Sequence, residues 1–96
     1  MVRESDIERK LVQYCRDKGW ECLKLRIDGE NGFPDRTVIT SNGIYFIELK
    51  RPGGKLRARQ RVWINKLTNL GHRAGCFDTL ERAIESVETW ESRTES

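Results

Sequence analysis

The chain has 96 residues, of which 36% are hydrophobic and 34% charged, and a formal net charge of +3. That length is expected to make one domain with one modest core, which self-association would help to complete. The N-terminus is charged and no long apolar run follows, so neither a membrane span nor a secretory signal is expected and the compartment is intracellular, cytoplasmic.

In chain order, Ser5-Asp6-Ile7-Glu8 has the spacing of a capping box. It predicts a helix with Ile7, Leu11, Tyr14 and Cys15 as its apolar stripe and Gly19 as its end. Glu8 has two roles open to it. It can bond the first free amides of the helix, or it can face a metal site; Glu4 is a weaker candidate for the second role. Residues 21–27 alternate, with Leu23, Leu25 and Ile27 on one face, and predict a strand. Residues 28–34 form a turn-rich loop. Residues 36–41 are β-branched and residues 44–50 apolar and aromatic, with Asn42-Gly43 between them. That dipeptide predicts a two-residue type I′ hairpin, because the turn needs positive φ at both central positions.

After Pro52-Gly53-Gly54, residues 57–70 predict a helix with Trp63, Ile64, Leu67 and Leu70 on one stripe and Gly71 just past its end. Residues 73–77 are a short strand. Asp78 or Thr79 caps a last helix bearing Leu80, Ala83, Ile84, Val87 and Trp90, and the final residues are expected to fray. Trp90 is the best candidate for an interface residue. The order is αβββαβα, one domain over residues 1–96.

The hairpin brings chemistry together. With Ser41 paired to Ile44, Thr37 lies opposite Glu48 and Asp35 opposite Lys50. Paired residues and residues two apart share a face. Asp35, Glu48 and Lys50 therefore share one end of one face, the two acids as diagonal neighbours roughly 7–8 Å apart at the backbone. Two carboxylates at that spacing suit a shared Mg²⁺, and an ammonium group beside them suits an attacking water and the charge that builds on a phosphate. Gln60 falls on the buried stripe of its helix, where an amide needs partners; it is either a structural amide at a helix end or a side chain that reaches the site.

Charge is unevenly spread. Residues 49–77 hold eight Lys or Arg and no acid, whereas the last eighteen residues hold five Glu, including Glu95, against Arg82 and Arg93. A basic run beginning at a carboxylate site points to nucleic acid, with salt-dependent affinity. The candidate contacts are Arg36, Arg51, Gly53, Gly54, Lys55, Arg57, Arg59 and Arg61; backbone amides at the two glycines would let a phosphate approach. Cys15, Cys22 and Cys76 are odd in number and lack a CxxC, so reduced thiols are expected. His72 has no partner for nucleophilic chemistry, and no small-molecule cofactor fingerprint appears.

Gly32-Phe33-Pro34-Asp35-Arg36, Phe46-Ile47-Glu48-Leu49-Lys50, Gly53-Gly54-Lys55-Leu56 and Gln60 ahead of Trp63 and Leu67 resemble the VRR-NUC family of the PD-(D/E)XK nuclease superfamily. The resemblance runs from about Glu4 to Trp90. It implies a restriction-endonuclease-like mixed β-sheet flanked by helices, an α/β fold, with a Mg²⁺ or Mn²⁺ site. By the same resemblance Asp35, Glu48 and the backbone carbonyl of Leu49 are metal ligands. Lys50 is the catalytic lysine, Gln60 the helix glutamine and Glu8 the first-helix acid. Minimal stand-alone members look like phage-type homodimers that cut four-way (Holliday) DNA junctions, which would place this one in a host cytoplasm. Two alternatives stay open: a nuclease for flaps or other branched DNA, and a non-cleaving DNA-binding accessory module.

Overall fold

The computed structural model describes residues 1–93; Glu95 and the rest of the tail lie outside the described residues. The elements are α1 (Glu4–Asp17), β1 (Glu21–Leu23), β2 (Arg36–Ile39), β3 (Ile44–Leu49), α2 (Ala58–Asn69), β4 (Arg73–Phe77) and α3 (Leu80–Arg93), in the expected order. The strands form one mixed sheet in the order β1-β2-β3-β4. The first three are antiparallel neighbours, and β4 runs parallel to β3 through the α2 crossover.

Strand periodicity splits the sheet into two faces. Val38, Tyr45, Ile47 and Leu49 point one way and pack with Ile7, Leu11 and Cys15 of α1 and with Ala83 and Val87 of α3. Full burial of each larger aliphatic side chain contributes about 1.5–3 kcal/mol. Trp90 belongs to this packing, against Tyr45 and Phe77, and is not the free interface residue expected of it. The other face carries Thr37, Phe46 and Glu48 and lies under α2, where Phe33 meets both Phe46 and Trp63 edge-to-face.

Three expectations change. Helix α1 starts earlier than the Ser5 box implies: Arg3 is the N-cap and Asp6 reaches back to its amide at 3.1 Å, so Glu8 has no capping role. The strand predicted over residues 21–27 ends at Leu23. Strand β2 begins only at Arg36, so it offers no pairing to Leu25 and Ile27, which stand 44% and 38% exposed.

The hairpin turn is also different. The last pair is Ile39 with Ile44, leaving residues 40–43 as the connection. Neither Asn42 nor Gly43 has positive φ, so this is not a type I′ turn. The Thr40 hydroxyl organises it by accepting the amides of Asn42 at 3.0 Å and Gly43 at 3.2 Å. Gly43 is needed for space: a Cβ there would sit 3.2 Å from the Tyr45 ring. The register therefore shifts by two residues. Arg36 pairs with Ile47, and the next step places Asp35 directly across from Glu48 instead of Lys50. A shift of two keeps every side chain on its face, so the site survives the error.

Candidate active site

Three segments build the site. Pro34 and Asp35 lead into β2, Glu48 and Lys50 lie at the end of β3, and Gln60 sits in the first turn of α2. Asp35 is fixed by the neighbouring strand β3: its Oδ2 accepts the Leu49 amide at 2.8 Å. Glu48 is 1% exposed and Lys50 9%. The Lys50 ammonium lies 3.7 Å from Glu48 Oε2. Gln60 donates its amide to the same oxygen at 3.0 Å, while its carbonyl oxygen accepts the Arg57 amide at 2.8 Å. The glutamine thus fills both expected roles, capping α2 and reaching the site.

The backbone approach that allows this comes from Gly32. Its φ is +85°, and a Cβ there would lie 2.7 Å from the Arg59 backbone carbon. Any side chain at residue 32 would push α2, and with it Gln60, away from Glu48.

The electrostatics of Glu48 are unusual. Burial first, then the Asp35 charge and a shared hydrogen bond with Asp35, push its carboxyl from 4.5 up to about 8; Lys50 opposes and Glu4 adds to the rise. The nearby Asp35 charge adds to burial in disfavouring the ionised form of Glu48. All three cysteines are free. Burial and the charge of Glu48 push the Cys76 thiol up.

The donor set fits a small hard cation. Asp35 and Glu48 offer carboxylate oxygens, the donor type that Mg²⁺ prefers. No group of three or more His, Cys, Asp and Glu side chains suited to a metal occurs among the described residues. Mg²⁺ is commonly held by one or two carboxylates plus water and phosphate oxygens, so two acids suffice.

Some candidates are placed elsewhere. Glu8 binds Arg36 Nε at 2.7 Å and Lys24 at 3.4 Å. The acid of α1 whose charge reaches Glu48 is Glu4, one turn earlier. Arg36 also donates to the Cys22 carbonyl at 3.2 Å and is half-buried against α1, so it is not an open DNA contact. Its neighbour Asp35 faces the site, and adjacent strand residues point oppositely. The amide of Gly53 is donated to Asp78 and that of Gly54 to the Arg51 carbonyl, so neither is left for a phosphate. Arg59 pairs with Glu30 at 3.1 Å. Arg51, Lys55, Arg57 and Arg61 are exposed and carry no ion pair among the described residues.

A mixed sheet flanked by helices, with an Asp and a Glu-x-Lys at adjacent strand ends, has the architecture of a restriction-endonuclease-like, nuclease-type domain. The VRR-NUC domain model matches residues 3–78, and the chain belongs to that family. It is also similar to a solved structure titled "VRR_NUC domain", with 21% identity and a TM-score of 0.81, over 92% of this chain and 97% of that one. At that identity the likeness speaks to the fold. Comparison with curated proteins returns no match. No helix among the described residues is long and apolar enough to cross a membrane.

Proposed function

We propose that this single domain, spanning residues 1–96, is a Mg²⁺- or Mn²⁺-dependent endodeoxyribonuclease selective for branched DNA, acting on four-way junctions as a homodimer in the cytoplasm. The observation that carries the reading is the Asp35–Glu48 carboxyl pair, with Glu48 buried and pushed up to about 8 and Lys50 Nζ 3.7 Å from it.

Asp35, Glu48 and the Leu49 carbonyl are the residues that would hold the cation. When bound there, a divalent cation supplies Lewis-acid polarisation of the phosphate and acidification of water. The protein does the rest. Asp35 is held for this by the Leu49 amide, and Glu48 by the Gln60 amide. Lys50 keeps its ammonium beside Glu48, where it orients the attacking water and stabilises charge developing on the phosphate. In-line attack on phosphorus then releases a 3′-hydroxyl. Arg51, Lys55, Arg57 and Arg61 supply an open basic surface for the DNA backbone.

The direct test incubates labelled four-way, flap and linear DNA with the protein and Mg²⁺ or Mn²⁺, with the oligomeric state measured by light scattering. Metal-dependent cutting of the four-way substrate by a dimer is expected. Tight junction binding without cleavage in either metal would favour the accessory-module alternative. Preferential flap cutting by a monomer would replace the junction and dimer parts while leaving the nuclease.

A further inference from the structure

The turn after β3 packs onto the lysine of the site. Residues 51–54 close a tight turn in which the Gly54 amide donates to the Arg51 carbonyl at 2.8 Å. Pro52 and a Gly53 φ of +80° give it type II geometry. The turn folds back so closely that a Cβ on Gly54 would lie 3.2 Å from Lys50 Cβ. The turn thus packs against the base of the Lys50 side chain, which is 9% exposed.

That turn is tied down from the far end of the chain. The Lys50 amide donates to the Phe77 carbonyl at 2.9 Å. The Gly53 amide donates to Asp78 Oδ2 at 3.3 Å. Consecutive residues of the β4–α3 junction therefore hold the residue before the turn and the turn's third residue. Asp78 is not needed to cap α3, because Thr79 Oγ1 already accepts the Arg82 amide at 3.2 Å. Its other oxygen has only an exposed pairing with Arg82 at 3.8 Å.

We infer that Asp78 is a positioning residue for Lys50: its carboxylate fixes the 51–54 turn, and the turn fixes where the ammonium can stand. The inference rests on the proposed nuclease reading. It assigns the Pro52-Gly53-Gly54 segment to shaping the site instead of to binding phosphate.

The test compares wild type with Asp78→Ala, Asp78→Asn and Arg82→Ala. Asp78→Ala should lower kcat about tenfold with KM unchanged, since a small misplacement of a catalytic group is costly. Asp78→Asn keeps an acceptor oxygen and should recover most of that loss, and Arg82→Ala should match wild type. In the metal-free protein, Asp78→Ala should speed hydrogen exchange at the Gly53 amide and move the Lys50 Cε resonance, whereas Arg82→Ala should do neither. Wild-type kcat in Asp78→Ala, an Asp78→Asn no better than Asp78→Ala, or an unmoved Lys50 resonance would overturn the inference. Absence of cleavage by wild type would instead sink the nuclease reading, and the two metal-free readouts would still decide whether Asp78 positions Lys50.

Discussion

A glutamate meets each end of the β2–β3 hairpin, and the two live in opposite surroundings. At the turn end, Glu91 of α3 accepts hydrogen bonds from the hydroxyl of Thr40 at 2.6 Å, the amide of Asn42 at 3.3 Å and the hydroxyl of Tyr45. Neutral donors converge on its charge, and the result is a clamp between helix and turn. At the open end, Glu48 faces Asp35, loses its hydration and keeps its proton to about pH 8. One carboxylate is placed where the protein satisfies it; the other is placed where it conflicts with its neighbour. In the proposed reading, the difference separates a structural acid from one held ready for a cation.

The contrast can be broken most sharply at the open end. Asp35→Ala, Glu48→Ala and Lys50→Ala should each lower single-turnover cleavage by about 10³-fold or more while leaving branched-DNA affinity within a few-fold. Gel-shift titration checks the second half; a parallel loss of binding would mean that these residues grip DNA instead of cutting it.

At the turn end the outcome should reverse. Glu91→Ala should cost about 2–3 kcal/mol in urea unfolding, because charge-assisted bonds are lost and the partners are left behind. Cleavage per folded molecule should stay at the wild-type level. A cleavage defect without a stability defect would erase the distinction between the two ends.

The third effect is smaller and depends on pH. Folded Glu48 holds its proton to about pH 8, against 4.5 for an ordinary carboxyl, so the folded chain binds more protons across that window. Stability of the metal-free protein must then fall as pH rises from about 4.5 to about 8. Thermal scans should show Tm dropping across this range, with Glu48→Gln flattening the slope. Smallest of all, Lys55→Ala or Arg57→Ala should each reduce the slope of log affinity against log salt by about one, with cleavage chemistry unchanged at saturating DNA.

The sequence makes most of this legible for a physical reason. Period-two alternation decides which residues share a face, and Asp35, Glu48 and Lys50 keep their parity under any even register shift. The wrong turn type therefore left the site intact. The order of elements was equally readable, since each helix and strand has its own apolar period. What could not be read are features set by partners remote in sequence. Thr40 and Glu91 choose the turn over Asn42-Gly43. The late start of β2 strips residues 24–27 of a strand partner. In sequence Glu8 fits either a cap or an acid facing the site, whereas in the structure it pairs with Arg36 and Lys24. For Arg36 a signal was present: it follows Asp35 immediately, so it had to face the other way.

The central claim is that Asp35 and Glu48 jointly hold a divalent cation in place of the proton on Glu48. Calorimetric titration of Mn²⁺ into the metal-free protein at pH 7, repeated in buffers of different ionisation enthalpy, tests it most directly. Saturable binding with release of about one proton, lost in both Asp35→Asn and Glu48→Gln, is the predicted result. Mn²⁺ binding that persists in those variants, or none in wild type, would contradict it.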